Sequence, residues 1–287
     1  EHEAVLETAK DIEGADFKVV RLSVDRDGLV DLREFKEELD EKTALVSVMY
    51  VNNETGTVEP VREIGEMIRQ FRTKRRSSYP LFHTDASQAF QFFDCDVKRL
   101  GVGRLTLSGH KIYGPKGVGL LHVKDSVRKE FSSVITGGGQ EFGLRSGTEN
   151  VSGLVGFGKA LELSLVRRAA AAKTVSGFKD QFLAGLHEIA PSLAVNGPAG
   201  KKSSPHILNV YFPGCLATEL LVKFDIAGLA VSAGSACGAR ATRRSYVLEA
   251  MGLAPEWIDG SVRFSFGRPL SEKDITEALI IVKQILT

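Results

Sequence analysis

The chain has 287 residues, of which 43% are hydrophobic and 25% charged, and its formal net charge is +1 at pH 7. These values are typical of a globular protein with one large or two medium domains. The near-neutral charge gives no reason to expect binding to nucleic acid or to a membrane surface, and no apolar run of the sequence approaches the ~20 residues of a membrane span. Three cysteines without paired spacing favour a reducing compartment. We therefore expect a cytoplasmic protein, or one of an organellar matrix in a eukaryote.

The first six residues, Glu-His-Glu-Ala-Val-Leu, already follow a helical pattern and have no capping residue ahead of them. We therefore expect that the natural protein continues upstream of Glu1.

Strand-like and helical patterns alternate through the first half of the chain. Strands are predicted at 17–24, 44–51, 79–84, 105–108 and 118–123, and helices at 29–39 and from 61 to about 71. Buried strands separated by amphipathic helices indicate βαβ units and a mainly parallel sheet. Ligands bind such sheets beyond the carboxyl ends of the strands, which is where Asn53, Asp85 and Lys111 fall.

A long helix is predicted from about Glu149 to Ile189 and leads into a second unit. The remaining predictions are strands at 207–212, 229–232 and 262–266 and helices at 217–227, 245–251 and 271–286. Ser271 and Asp274 form a capping-box-like start to the last helix. We therefore expect an α/β protein with a large domain over 1–168, built on a mainly parallel sheet, and a smaller α+β domain over 169–287.

The most informative segment is Ser108-Gly109-His110-Lys111, which follows an apolar strand and precedes a Gly/Pro-rich turn over 113–117. A lysine at such a place can condense with an aldehyde, which is how pyridoxal phosphate is anchored in its enzymes. Ser108 and His110 offer donors suited to a phosphate, and the glycines allow close approach of the backbone. A lysine after a strand is otherwise an ordinary surface charge.

Asp85 ends a predicted strand within the segment 83–88. A buried carboxylate against a pyridinium keeps the ring nitrogen protonated, as the electron-sink chemistry of pyridoxal phosphate requires. An Asp at this position is equally typical of a helix N-cap, so this segment alone leaves both interpretations open. Gln88 is placed to reach the phenolic oxygen of the ring. Asn53, in a segment that otherwise reads as a turn, is placed to reach that oxygen or a substrate carboxylate.

Cys237 lies among small residues in the segment 231–240, which predicts an accessible loop rather than a packed core. The arginines that follow it favour the thiolate, the reactive form of the side chain. Cysteines are commonly buried and inert, and Cys95 and Cys215 fit that description better.

Arg263 is a charge in the middle of the apolar strand predicted at 262–266. Such an arginine needs a partner, and a substrate carboxylate bound through both arms of the guanidinium would serve. A structural ion pair is the alternative.

Taken together, these segments resemble the cysteine desulfurases of the NifS/IscS type, in the class V branch of fold-type I pyridoxal phosphate enzymes. The resemblance spans essentially the whole chain. It is carried by the segments 1–6, 51–54, 83–85, 108–117, 145–148, 232–237 and 263–265, in this order. The family also has an N-terminal portion ahead of the position that His2 matches, and this portion is not in the chain.

The resemblance implies that the cofactor is pyridoxal 5'-phosphate, bonded through its aldehyde to Lys111 and paired at its ring nitrogen with Asp85. The implied catalytic residues are Lys111, Cys237 and His2, of which His2 stacks on the ring. Further cofactor contacts are implied for Gln88, Asn53, Ser108, His110 and, from the second subunit of a homodimer, Thr148.

The resemblance further implies that Arg263, with Asn53, binds the substrate L-cysteine, and that Cys237 accepts its sulfur. The products would be alanine and a persulfide, handed on to an iron–sulfur scaffold or a tRNA-thiolation protein. Three alternatives remain: a selenocysteine lyase, a class V aminotransferase without a catalytic thiol, and a catalytically silent scaffold for a sulfur-carrier partner.

Overall fold

A computed structural model of the chain describes residues 1–14, 16–125, 131–234 and 244–287. The helices are α1 (Glu3–Ile12), α2 (Leu32–Glu38), α3 (Val61–Arg75), α4 (Val97–Leu100), α5 (Val151–Ile189), α6 (Ala217–Ile226), α7 (Tyr246–Ala250), α8 (Pro255–Asp259) and α9 (Glu272–Leu286). The strands are β1 (Leu45–Ser47), β2 (Leu81–Asp85), β3 (Arg104–Ser108), β4 (Gly119–Val123), β5 (Ala194–Asn196), β6 (Ile207–Tyr211) and β7 (Ser261–Ser265).

The chain forms two compact units. The central unit comprises residues 39–50 and 61–168, and the terminal unit comprises residues 1–38, 51–60 and 169–287. The chain leaves the central unit between 168 and 169, the same position as the boundary expected from the sequence. Residues 1–38 and 51–60, however, pack with the C-terminal part of the chain. The division into a cofactor domain and a small domain stays a prediction.

The central unit is built on a sheet with the strand order β1-β2-β3-β4. The first two pairs are parallel and the β3–β4 pair is antiparallel. One face of the sheet carries buried side chains such as Phe82, Leu105 and Leu107. Ile64 and Ile68 of α3 are also fully buried. The predicted α/β class with a mainly parallel sheet is therefore confirmed, since β1, β2 and β3 are joined by helical crossovers.

The terminal unit contains a smaller antiparallel sheet with the order β5-β6-β7. Its core is aromatic: the ring of Phe182 in α5 lies against Phe264 and Phe266, with centroids 4.9 and 5.6 Å apart. Offset and edge-on ring contacts of this kind stabilise a core beyond the area they bury. At the start of α9, Ser271 and Asp274 form the predicted capping box.

Two predicted strands are wrong. Residues 17–24 form only isolated bridges, at Phe17 and Val24, and within 229–232 only Ser232 is bridged, to Arg263. Alternation of apolar residues describes which side chains face the core, but a strand also needs a neighbouring strand along its length. Within the described residues, no helix is long and apolar enough to cross a membrane.

Candidate functional site

The carboxyl ends of β2 and β3 lie side by side in the central unit. Asp85, the last residue of β2, is the register partner of Thr106, and β3 continues from there to Ser108. His83, Asp85, Thr106 and Ser108 are half-buried and alternate with buried residues, so they share one face of the sheet. Polar groups therefore gather at the sheet edge where ligands bind in parallel sheets.

Lys111 lies in a short 3-10 helix, Gly109–Ile112, that follows β3 directly. Ile112 is fully buried whereas Lys111 is exposed. The turn is tight, because Gly114 N–H donates to Gly109 O at 2.9 Å. A methyl group on Gly109 would lie 2.9 Å from Val118 O, which explains why a glycine stands there. Packing of Ile112 into the core thus fixes the turn and leaves the Lys111 amine at the strand end.

Asp85 does not cap a helix. Its Oδ1 accepts from Ser87 N–H at 2.8 Å in a local turn, and no regular helix follows before α4. The alternative reading as a helix N-cap is therefore wrong. Gln88 is half-buried in the same turn region.

His83 joins three strands beside Asp85, a role the sequence pattern did not indicate. Its Nδ1 lies 2.8 Å from Ser47 Oγ of β1, and its Nε2 lies 2.8 Å from Thr106 Oγ1 of β3. These contacts hold the carboxyl ends of the strands in register. A polar residue two positions before Asp85, on the same face, is the signal that would have found it.

Ser108 and His110 form a pair just ahead of Lys111. Ser108 Oγ lies 3.0 Å from His110 Nδ1. Partial burial and the charges of Lys111 and Lys116 lower the pKa of His110, which favours the neutral ring. A neutral imidazole and a hydroxyl offer hydrogen-bond donors to a phosphate without a further charge.

The central unit also contains Thr148. This residue is exposed in the loop that precedes α5. The role of Thr148 in the site of a second subunit stays a prediction.

The terminal unit brings Asn53 and Arg263 together. Arg263 Nη1 donates to Asn53 O at 2.8 Å, and the backbone of Arg263 bridges to Ser232. Asn53 is buried, and its Oδ1 has no hydrogen-bond partner among the described residues. A buried amide oxygen without a partner is costly, which is a reason to expect a ligand there.

His2 caps α1 rather than lying within a helix. Its Nδ1 accepts from Ala4 N–H at 3.1 Å, and α1 begins at Glu3. The expectation that no capping residue stands ahead of the helical pattern was therefore wrong, because an imidazole nitrogen can accept this bond. His2 belongs to the terminal unit, and its stacking on a cofactor ring stays a prediction.

Cys237 lies outside the described residues. The chain is described up to Gly234 and again from Arg244, whose guanidinium makes a bidentate pair with Asp259 at 2.8 and 2.7 Å. For comparison, burial raises the pKa of the Cys95 thiol to about 12, which agrees with the expectation that Cys95 is inert.

The residues of the central unit suit pyridoxal phosphate chemically. Lys111 would supply an amine for the aldehyde, Asp85 a carboxylate for the pyridine nitrogen, and Ser108 with His110 donors for the phosphate. A mainly parallel sheet with this lysine at a strand end defines a fold-type I pyridoxal-phosphate-dependent enzyme. Within the described residues, no cluster of His, Cys, Asp or Glu is suited to a metal ion.

Comparisons with known proteins narrow this class. The model of the aminotransferase class-V family matches residues 1–278. The chain is 40% identical over 287 residues to the cysteine desulfurase IscS of Clostridium botulinum, covering 100% of this chain and 70% of that protein. It is 43% identical over 268 residues to the putative cysteine desulfurase IscS 1 of Bacillus subtilis, covering 93% of this chain and 68% of that protein.

Solved structures agree with the sequence relatives. A NifS-like protein matches with a TM-score of 0.88 and 34% identity, over 100% of this chain and 73% of its own. A NifS-like protein from Rickettsia africae matches with a TM-score of 0.86 and 28% identity, over 99% and 73%. The chain therefore belongs to the aminotransferase class-V family, among the cysteine desulfurases of the NifS/IscS type.

Proposed function

We propose that this protein is a pyridoxal-phosphate-dependent cysteine desulfurase that converts L-cysteine to L-alanine and leaves a persulfide on Cys237. The observation that carries the proposal is Lys111 at the end of β3 beside Asp85 at the end of β2. The cysteine desulfurases among the relatives support the choice of reaction.

In the proposed reaction, Asn53 and Arg263 orient the substrate. The guanidinium of Arg263 pairs with the substrate carboxylate. Asn53 lies next to this guanidinium, and its side-chain Oδ1 has no hydrogen-bond partner among the described residues. Pyridoxal phosphate, when bound, supplies an electron sink that stabilises negative charge at the substrate Cα. Asp85 keeps the cofactor's ring nitrogen protonated.

Lys111, which is exposed in the short helix at the strand end, takes the Cα proton. The Cys237 thiolate forms an S–S bond with the substrate sulfur while the Cβ–S bond breaks. The electron pair of that bond stays on Cβ, which takes up a proton, and Lys111 returns a proton to Cα. The products are alanine and the Cys237 persulfide, so no further oxidant or reductant is required.

The protein works as a homodimer in this proposal. Phe142, Val151 and Val155, on either side of Thr148 along the chain, are 82%, 65% and 69% exposed. Exposed apolar side chains of this size are typical of an interface, and a second copy that covers them would carry Thr148 with it.

The persulfide is passed to a sulfur acceptor such as an iron–sulfur scaffold or a tRNA-thiolation protein. A reducing cytoplasm, or an organellar matrix in a eukaryote, suits this chemistry because the Cys237 thiol must be regenerated in each turnover. No direct binding to nucleic acid or to a membrane is part of the proposal.

The cofactor site is tested with Lys111→Ala and the matched control Lys116→Ala, which removes a neighbouring exposed lysine. We expect the wild type and the control to show the visible absorbance band of bound pyridoxal phosphate and to release alanine from L-cysteine, and Lys111→Ala to lose both. A retained band in Lys111→Ala contradicts the assignment. Rates with L-cysteine and L-selenocysteine separate a desulfurase from a selenocysteine lyase.

A further inference from the structure

Glu54 is a fully buried carboxylic acid in the terminal unit, with no part in the reaction described so far. Its Oε2 accepts a hydrogen bond of 2.5 Å from Ser245 Oγ. Its Oε1 is buried and has no hydrogen-bond partner among the described residues. Buried carboxyl groups are costly unless their hydrogen bonds are satisfied, so an acid at this place calls for an explanation.

The backbone around Glu54 is held rigidly. Glu54 N–H donates to Asn52 Oδ1 at 2.8 Å, and Glu54 O accepts from Asn209 Nδ2 at 3.2 Å. Asn209 is itself fully buried and bonded to Asn196 at 2.8 Å. The carboxyl group of Glu54 therefore projects from a turn whose backbone is hydrogen-bonded to β6 of the small sheet.

Two chain positions meet at this carboxyl group. Ser245, which donates to Glu54 Oε2, is also the N-cap of α7 and accepts from Leu248 N–H at 3.1 Å. Gly234 is buried with φ +70°, and a methyl group built on it would lie 3.4 Å from Glu54 Oε2 and 3.4 Å from Ser245 Cβ. The chain between Gly234 and Ser245 contains Cys237.

We propose that Glu54 is a positioning residue for sulfur transfer, because its carboxyl group binds Ser245 and lies next to Gly234, the two chain positions between which Cys237 lies. The inference rests on the proposed function, in which the Cys237 thiolate must reach the substrate sulfur. Fixing both ends of a segment limits the arrangements of the side chain it carries, and small losses of alignment reduce reaction rates strongly.

The carboxyl group of Glu54 acts as a hydrogen-bond acceptor in this role. Burial raises the pKa of Glu54, although the hydrogen bond from Ser245 and the charge of Arg263 act in the opposite direction, while Glu3 acts with burial. A glutamine, which keeps the acceptor and has no charge, is therefore expected to replace it.

Two variants of the chain separate the hydrogen-bond acceptor of Glu54 from the volume that its side chain fills. Glu54→Gln keeps the acceptor for Ser245, and Glu54→Met keeps the volume and removes the acceptor. Val282→Ala, a fully buried position on α9, serves as the control for general destabilisation. Trypsin cleavage after Arg240 and Arg243, followed by mass spectrometry, measures how firmly the segment is held and needs neither cofactor nor substrate.

We expect Glu54→Met to be cleaved there about three- to tenfold faster than the wild type, the effect of losing one net hydrogen bond. With pyridoxal phosphate and L-cysteine, its kcat for alanine should fall about tenfold or more while KM stays within about twofold. Glu54→Gln should match the wild type in cleavage and kcat, and Val282→Ala should match it in the cleavage rate.

Equal cleavage and equal kcat in Glu54→Met and Glu54→Gln would overturn the inference, and so would equally fast cleavage in Val282→Ala. Should Glu54→Met fail to fold, Ser245→Ala removes the donor of the same hydrogen bond and must show the same faster cleavage. If the wild type forms no alanine, the proposed function fails, and the cleavage rates still decide whether Glu54 holds this segment.

Discussion

Asp85 at the end of β2 is the register partner of Thr106 in β3, and the chain reaches Lys111 through the short helix that follows β3. The carboxylate and the amine therefore stand at the same edge of one sheet. This relationship links the fold to the proposed chemistry. Asp85 is assigned to the ring nitrogen of pyridoxal phosphate and Lys111 to its aldehyde, and these two groups lie on opposite sides of one small ring.

Asp85→Asn tests the part of this arrangement that tunes the cofactor. The amide keeps an oxygen to accept from Ser87 N–H, so the local turn and the stability should be preserved. It has no charge to keep the ring nitrogen protonated, and we expect kcat for alanine to fall about a hundredfold, the usual scale for losing one fixed electrostatic group. Steady-state rates and the absorbance of the bound cofactor check this. A variant with wild-type kcat would contradict the role of Asp85.

Arg263→Lys tests substrate orientation. Lysine keeps the positive charge but has no planar fork, so the bidentate contact with a carboxylate is lost. We expect KM for L-cysteine to rise about tenfold, the scale of one good hydrogen bond to a charged group. Cofactor absorbance should be unchanged, which separates this effect from loss of cofactor. An unchanged KM would assign Arg263 to a structural role with Asn53.

The strand ends that carry these residues are predictable from the sequence, whereas their partners are not. The apolar runs stop at Asp85 and at Ser108, and both strands end there. The sequence of 52–56 likewise predicts a turn, and residues 53–55 form one. No local pattern indicates that Glu54 meets Ser245, 191 positions later, since such contacts follow from the packing of the whole unit.

Glu59 makes stability depend on pH. Burial raises its pKa from 4.5 to about 7, although its Oε2 accepts from Val30 N–H at 3.1 Å. The folded chain holds this proton more tightly than the unfolded chain, so the contribution of Glu59 to stability is lost as pH rises from 4.5 to about 7.

Glu59→Gln removes this dependence and keeps an acceptor for Val30. We expect the free energy of unfolding of the variant to rise relative to that of the wild type across this interval. The difference should reach about 3 kcal/mol above pH 7, because each pKa unit corresponds to about 1.36 kcal/mol. Urea unfolding at several pH values measures the difference. A constant difference at all pH values would show that Glu59 ionises normally.

Gly65 allows α3 to lie directly against the end of α4. A methyl group built on it would overlap Leu100 O. We expect Gly65→Ala to reduce the free energy of unfolding by about 1–3 kcal/mol, as overpacking does. Gly177→Ala, at an exposed helical position with no neighbour within 4 Å, is the matched control and should raise stability by about 0.5–1 kcal/mol. Equal effects at the two sites would rule out the close approach at Gly65.

The most direct test of the central claim is the fate of the sulfur. The protein is incubated with pyridoxal phosphate and L-cysteine, alanine is quantified, and the peptide that contains Cys237 is analysed by mass spectrometry without reduction. We predict alanine formation, one added sulfur atom on Cys237, and no alanine from Cys237→Ala, which should still bind the cofactor. Alanine formation by Cys237→Ala at the wild-type rate would contradict the account.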